Sequence, residues 1–225
     1  ILAAVLSLAF TQVTAQDLNK GWDAYDAGDY ATALKEWKPL AEQGDAYAQS
    51  NLGLMYTKGE GVLKDYAEAV KLYRLAAEQG NAKAQNALGF MYEYGNGVLK
   101  DDKEAVKLYR LAAEQGYADA QFNLGVMYGK GNGVLQDYSE ALKWYRLSAE
   151  QGYDYAQRNL GTMYEYGTGV LQDNVTSHMW YNIASANGNE KAGEYRDERA
   201  GLMTTDAIEK ATAMARECMR SDYKK

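Results

Sequence analysis

The chain has 225 residues and a formal net charge of −7, and hydrophobic residues make up 47% of it. This composition supports a packed fold and provides no basic stripe that would follow a phosphate backbone, which argues against nucleic-acid binding. The acidity also argues against binding to an anionic membrane surface. Pro39 is the only proline, so the chain can be helical almost throughout.

Residues 1–15 predict the apolar core and cleavage region of a secretory signal peptide. Residues 1–10 carry no charge, and Val13 and Ala15 are placed like the small residues before a cleavage site. The positively charged segment that opens such a signal would then be missing. A buried helix and a membrane anchor are the alternatives, but the apolar run is shorter than the roughly 20 residues of a spanning helix. We therefore expect an exported protein, periplasmic or secreted, without stable membrane insertion.

A period of 36 residues organises most of the remaining chain, and each copy of the repeat ends in a glycine. The repeats occupy residues 45–80, 81–116, 117–152 and 153–188. A degenerate half-unit at residues 16–44 precedes them, and residues 189–225 follow as a C-terminal helical cap. A fixed period of this length indicates a repeat architecture, in which atypical end units cover the terminal repeats.

The first half of each repeat predicts a helix. In the first copy, Ala48, Leu52, Met55 and Tyr56 have the spacing of one apolar helix face, and the other copies keep this pattern. A glycine after the leucine costs about 1 kcal/mol of helix propensity relative to alanine. Its presence in all four copies predicts a close approach between helices, at positions Gly53, Gly89, Gly125 and Gly161.

The second half of each repeat predicts a loop and a second helix. In the first copy, Gly59 is expected to end the first helix in a left-handed conformation, and Asp65 to cap the next helix. Val62 and Leu63 are expected to fold the loop onto the core. After the fourth copy, two polar helices are predicted at residues 191–202 and 206–220. Thr205 is the expected cap of the last one, and its inner face is formed by Ile208, Ala211 and Ala215.

The recurring pattern A-x-x-x-L-G-x-M-Y-x-x-G-x-G-V-L-x-D-x-x-x-A-x-x-x-Y-x-x-A-A-E-Q-G resembles the Sel-one-like repeat, a relative of the tetratricopeptide repeat. The resemblance covers residues 45–188 closely and 16–44 loosely. It implies an all-α fold, a right-handed superhelical solenoid of antiparallel helix pairs. It also implies an adaptor that assembles other proteins, in a family with many exported bacterial members. An exported branch associated with penicillin binding has a disulfide in each repeat, which this sequence lacks.

A second stripe on the first helices differs from copy to copy, whereas the apolar stripe is needed for packing. In tetratricopeptide-like solenoids the first helices line the concave face, so this stripe is predicted to bind a protein or an extended peptide. Asparagine amides can pair with a peptide backbone, aromatic side chains are common at interfaces, and an arginine can bind a carboxylate. The predicted contact residues are Tyr47, Asn51, Lys58, Phe90, Tyr94, Phe122, Asn123, Tyr155, Arg158, Asn159 and Tyr166. The alternative is that these asparagines and aromatic residues only pack between neighbouring helices.

No combination of residues indicates an enzyme, a cofactor or a metal site. The repeated G-x-G lies between helices and lacks the preceding strand of a phosphate-binding loop. His178 and Cys218 are the only histidine and cysteine, and neither has the partners that a zinc site or a nucleophile needs. Two alternatives stay open besides the peptide-binding scaffold. One is a protein that binds cell-wall glycan or muropeptide, or assists a hydrolase, and the other is a regulator that multimerises through its ends with Cys218 as a link.

Overall fold

The computed structural model describes residues 15–223, and within this range the secondary structure consists of twelve α-helices without a strand. Their bounds are α1 Ala15–Asp26, α2 Tyr30–Glu42, α3 Ala46–Lys58, α4 Tyr66–Glu78, α5 Ala82–Tyr94, α6 Asp102–Glu114, α7 Ala118–Lys130, α8 Tyr138–Ala149, α9 Asp154–Tyr166, α10 Asn174–Ala186, α11 Glu190–Ala200 and α12 Thr205–Arg220. None of these helices is both long enough and apolar enough to cross a bilayer. The predicted signal peptide lies outside the described residues, apart from Ala15 at the start of α1.

The chain divides into two compact units, unit 1 at residues 1–100 and unit 2 at residues 101–225. Unit 1 contains α1 to α5, and unit 2 contains α6 to α12. Consecutive helices pack against each other from α1 to α5 in unit 1 and from α6 to α11 in unit 2, and α12 packs against α10. This arrangement confirms the predicted all-α repeat fold.

Side-chain contacts show that the two helices of a repeat run antiparallel. In unit 1, Gln79, directly after α4, donates from Nε2 to Oε1 of Gln49 near the start of α3, at 2.9 Å. In unit 2, Gln151 makes the same bond to Gln121 at 2.7 Å. The end of one helix therefore meets the start of the other, as in the predicted helix pairs.

The repeated glycine marks a close approach between helices, as predicted. A Cβ atom on Gly53 of α3 would lie 2.7 Å from the ring of Tyr73 in α4. A Cβ atom on Gly161 of α9 would lie 2.5 Å from the ring of Tyr181 in α10. Each tyrosine ring lies so close to the glycine that a larger residue there would displace it.

The loop inside each repeat follows the prediction in two respects and departs from it in one. Gly59 ends α3 with a φ of 78°, and the Asp65 carboxylate accepts from the first backbone N–H groups of α4. Val62 packs against the core of unit 1, but the prediction for Leu63 is wrong, because Leu63 is 91% exposed. Consecutive side chains of an extended segment point to opposite sides, so only one of the pair reaches the core. The same exposure, 88–91%, holds for the equivalent leucines Leu99, Leu135 and Leu171.

The C-terminal cap forms two helices close to the predicted bounds. The residue that caps α12 is Thr204, whose Oγ1 accepts from the backbone N–H of Ala207 at 3.3 Å, and the prediction of Thr205 is wrong by one position. Two adjacent threonines offer the same capping chemistry, so the sequence alone does not separate them. Ala211 and Ala215 are buried against the core of unit 2, as predicted.

Candidate functional site

In unit 1, the variable stripe on the first helices carries exposed aromatic rings. Tyr47 of α3 is exposed, and so are Phe90 and Tyr94 of α5. The rings of Phe90 and Tyr94 lie 4.4 Å apart, one helical turn from each other. These residues provide apolar surface with a polar tip and are open to solvent.

Two other predicted contact residues of unit 1 are engaged within the chain. Asn51 is only 3% exposed, and its Oδ1 accepts from Lys83 Nζ at 3.4 Å. Lys58 donates to the Tyr25 hydroxyl at 2.9 Å and lies 3.6 Å from the Glu60 carboxylate. The stripe of unit 1 is therefore an aromatic surface in which the polar residues already have internal partners.

In unit 2, the same stripe borders a cavity of about 430 Å³ between α7 and α9, with α8 behind it. We call this cavity the groove pocket. It is lined by Phe122, Val126, Gly129, Lys130, Tyr138, Ala141, Tyr145, Arg158, Asn159, Thr162, Met163 and Thr168. Three of the predicted contact residues, Phe122, Arg158 and Asn159, therefore come together in one concave site.

Gly129 opens the groove pocket. The equivalent residue of α3 is Thr57, whose Oγ1 lies 3.2 Å from the Tyr73 hydroxyl, and in α9 it is Glu165, which accepts from the Tyr181 hydroxyl. In α7 the equivalent residue, Gly129, has no side chain that could contact the hydroxyl of the corresponding Tyr145 of α8. A Cβ atom on Gly129 would lie 3.8 Å from Ala141 and from the Tyr145 hydroxyl, so there is room for a side chain at this position.

Aromatic rings form one wall of the groove pocket. The ring of Phe122 lies 5.8 Å from the ring of Tyr145 and 5.2 Å from that of Tyr153. The Arg158 guanidinium lies over the Tyr155 ring at 5.5 Å, an arrangement that orients the cation and stabilises it modestly. The result is an apolar surface with a positioned cation at its border.

The charges at the groove pocket differ from those of the chain as a whole. Lys130 and Arg158 are its charged lining residues, and no carboxylate of the described chain lines it, although the chain has a net charge of −7. Burial raises the pKa of Tyr145 to about 12, so its hydroxyl stays neutral, and it is hydrogen-bonded to Asn159. The pocket therefore favours an anionic group beside an apolar one.

The remaining predicted residues of unit 2 lie around the groove pocket. Tyr155 and Arg158 border a second cavity of about 380 Å³, which Lys191 of α11 also lines. Tyr166 is exposed at the end of α9, and Asn123 is half-buried outside the pocket lining. Within the described residues no group of three His, Cys, Asp or Glu side chains is placed to hold a metal ion.

Sequence reasoning missed the residues of the pocket that do not belong to the variable stripe. Tyr138 and Tyr145 come from the second helix of the repeat, and Tyr145 has the same identity in every full copy. Gly129 was the available signal, because its equivalents are larger residues in the other three copies. The lack of a side chain at Gly129 indicates open space only when the positions of the surrounding helices are known.

The antiparallel helix pairs and their 36-residue period place the chain in the class of helical-repeat proteins. The Sel1 repeat family model matches residues 46–81, 82–117, 118–153 and 154–189, and the chain belongs to this family. A comparison with curated proteins finds no match.

Two solved structures share the fold and substantial sequence identity with this chain. One is a Sel1 repeat protein from Oxalobacter formigenes, with 34% identity and a TM-score of 0.78 over 93% of this chain and 84% of that one. The other is a protective antigen of uropathogenic Escherichia coli strains that displays an SLR fold, with 37% identity and a TM-score of 0.77. That match covers 89% of this chain but only 45% of the antigen, so this chain spans less than half of the antigen's length.

Proposed function

We propose that this chain is a non-catalytic protein-binding scaffold whose groove pocket binds an extended peptide with a carboxylate next to an apolar side chain. The observation that carries the proposal is the composition of the pocket lining, which combines an aromatic wall with two cations and no carboxylate. Membership in the Sel1 repeat family supports a scaffold, since its members generally mediate protein–protein interaction.

Each part of the proposed ligand has its own contact. The apolar side chain packs against Phe122 and Val126, and the carboxylate pairs with the Arg158 guanidinium. Lys130 adds a second positive charge at the rim. The Asn159 amide is hydrogen-bonded to the Tyr145 hydroxyl, and its remaining amide groups are proposed to pair with the peptide backbone.

The exposed aromatic rings of unit 1 are also proposed to contact a protein ligand. Tyr47, Phe90 and Tyr94 offer contact area that is not consumed by packing. Asn51 is left out of the proposed contacts, because its side chain is buried and its oxygen accepts from Lys83.

The experiment selects binders from a displayed library of short random peptides, including a set with free C-terminal carboxylates. The expected peptides place Asp, Glu or the terminal carboxylate next to a large apolar residue.

Two variants test the pocket. Gly129→Thr fills it with the residue found at the equivalent position of α3, so the helix tolerates it. Arg158→Gln removes the cation and keeps a polar side chain.

Gly129→Thr should weaken the selected peptides by about tenfold or more, and Arg158→Gln should remove the preference for a carboxylate while the apolar preference persists. Lys35→Gln on α2 is the matched control, because it removes an exposed positive charge that does not line the pocket. Equal binding by wild type and Gly129→Thr would exclude the groove pocket as the site. Retention on muropeptide without any enriched peptide would support the glycan alternative instead.

We also infer that the protein is exported, because residues 1–15 have the apolar core and small residues of a cleaved signal. Expression of the complete gene in a bacterial host, followed by fractionation and N-terminal sequencing, tests this. The expected mature chain begins near Gln16 in the periplasm or the medium. A product that keeps residues 1–15 in the cytoplasm would contradict the inference.

A further inference from the structure

The second helices of the three regular repeats carry an ion pair on their exposed side. Its members are a glutamate and a lysine one turn apart, Glu68 with Lys71, Glu104 with Lys107, and Glu140 with Lys143. In α10, the second helix of the fourth repeat, the same positions are occupied by Thr176 and Met179. The fourth repeat has therefore replaced a charged pair with a small polar residue and a large apolar one.

The surroundings of this pair are otherwise retained. In each regular repeat an arginine of the second helix donates to a tyrosine hydroxyl of the next first helix, and Arg146 makes this bond to Tyr164 at 3.0 Å. In unit 1, the groove beside Glu68 and Lys71 has a volume of about 330 Å³ and is also bordered by Lys38 and Glu42. The regular groove is thus open and charged on both sides.

In unit 2, α12 covers the corresponding groove and leaves a cavity of about 530 Å³, which we call the α12 cavity. It is lined by Arg146, Glu150, Tyr164, Thr176, Met179, Trp180, Ala213, Met214, Glu217, Cys218 and Tyr223. Its inner surface is mostly apolar. The chain following α12 is held in place, because the Tyr223 hydroxyl donates to Asn187 Oδ1 at 2.9 Å.

Simple capping of the last repeat does not account for this cavity. Ala211 and Ala215 already bury α12 against the core of unit 2, and Met179 and Trp180 belong to the same core. Met179 and Trp180 are each 8% exposed, so α12 covers most of their surface but leaves part of the groove beside them unfilled. The remaining volume instead lies in the range of small-molecule sites, roughly 300–1,000 Å³.

The charges at the mouth of the cavity restrict the ligand. Glu150 and Glu217 contribute two carboxylates, of which Glu217 is paired with Arg220, and Arg146 contributes one guanidinium, which is bonded to Tyr164. Because Glu217 is paired, the remaining charges of Glu150 and Arg146 balance, and the rim has no excess positive charge that would compensate for the desolvation of an anionic ligand. We propose that the α12 cavity is a binding site for a small, apolar, non-anionic molecule with a ring system that packs against Trp180 and the methionines. This site shares no lining residue with the groove pocket and does not depend on the peptide-binding proposal.

The test titrates the protein with N-phenylnaphthylamine. This is an uncharged probe with two aromatic ring systems, and it becomes fluorescent in apolar sites. We expect a saturable signal with one site per chain. Anilinonaphthalene sulfonate has the same ring system plus a negative charge and should bind about tenfold more weakly. Absence of saturation, or equal affinity for the two probes, would overturn the proposal.

Two variants test whether the fluorescence comes from probe bound in the α12 cavity. Thr176→Glu with Met179→Lys restores the ion pair of the regular repeats and should abolish binding. Because this change can also loosen α12, Met214→Trp serves as a second variant that fills the cavity and keeps α12 apolar. It should weaken binding of the probe by about tenfold. An affinity equal to that of the wild type would contradict the assignment of the α12 cavity as the binding site.

The only cysteine of the chain gives an independent measurement, because Cys218 lines the α12 cavity. Bound N-phenylnaphthylamine should slow the reaction of Cys218 with a maleimide, and an unchanged rate at saturation would place the probe elsewhere. The matched control is Glu68→Thr with Lys71→Met in unit 1, which places the residues of α10 in the regular groove without a covering helix. It should add no second site, whereas a gained site would show that apolar residues alone produce the signal.

Discussion

The repeat at residues 45–80 and the repeat at residues 153–188 have the same packing contacts but different residues around them. Gly53 lies under the Tyr73 ring in the first, and Gly161 under the Tyr181 ring in the second. Where the first repeat has Val70, the fourth has the buried His178. The comparison shows that the repeated residues maintain the helix pair, whereas the positions that depart from the repeat give each copy its own properties.

The substitutions with the largest expected effect replace a loop glycine that the two repeats share. Gly61 and Gly169 occupy the same loop position, with φ angles of 73° and 70°. An alanine Cβ would lie 2.8 Å from the Cβ of Tyr30 at the first and 2.7 Å from the carbonyl oxygen of Tyr138 at the second. The left-handed conformation and the overpacking together should cost about 3 kcal/mol in either copy. Urea unfolding of Gly61→Ala and Gly169→Ala measures this loss.

Gly80→Ala is the control for the conformational part of that cost. Gly80 also has a positive φ, 87°, but a Cβ atom there would meet nothing within 4 Å. Its replacement should cost about 1 kcal/mol. The close approach would have no energetic importance if Gly169→Ala were no more destabilising than Gly80→Ala.

The next effect concerns a position where the two repeats differ. His178 is buried, and its Nδ1 has no hydrogen-bond partner among the described residues. Burial and then the nearby Arg196 lower the pKa of His178 below its usual 6.5, although Asp197 opposes the shift. The unfolded chain therefore binds a proton more readily than the folded one. The free energy of unfolding should have its full value above pH 6.5, and it should decrease as the pH falls through the lowered pKa of His178.

His178→Val introduces the residue of the first two repeats and removes this titration. It should raise the free energy of unfolding by about 1–2 kcal/mol, because an unpaired buried polar group is lost. The gain should be larger at pH 5 than at pH 8, and the carboxylates common to both proteins cancel in the difference. A gain that does not change with pH would show that His178 does not titrate on unfolding.

A smaller effect is expected at the neighbouring Ser177. Its buried hydroxyl has no hydrogen-bond partner among the described residues, and the other three repeats have alanine at this position. Ser177→Ala should stabilise the protein by about 1 kcal/mol. Ala69→Ser in the first repeat is the reverse change and should destabilise by a similar amount. A loss on Ser177→Ala would mean that the hydroxyl does have a partner, such as a bound water.

The sequence predicted the repeated part of the structure well, because each packing residue recurs in register and helical spacing decides which face it occupies. Gly53, Gly59 and Asp65 are examples in which the residue type determines the local conformation. The groove pocket was predicted only in part. The sequence shows that the positions of Phe122 and Arg158 differ between the repeats, but the effect of Gly129 depends on the side chains that surround it in the folded chain. The α12 cavity was not predicted, because α12 has no counterpart in the repeat and its position on α10 follows from tertiary packing alone.

The smallest expected effect tests the one loop residue that was predicted wrongly. Leu63 and its equivalent Leu171 are almost fully exposed, whereas Val62 packs against the core of unit 1. Leu63→Ser and Leu171→Ser should each change the free energy of unfolding by less than about 0.5 kcal/mol. Val62→Ser should cost more, about 1–2 kcal/mol, because it removes buried apolar area. A large loss from Leu63→Ser in dilute protein would show that the leucine is covered in solution. A loss that appears only at high concentration would show that a second copy covers it, since stability gained from association depends on concentration.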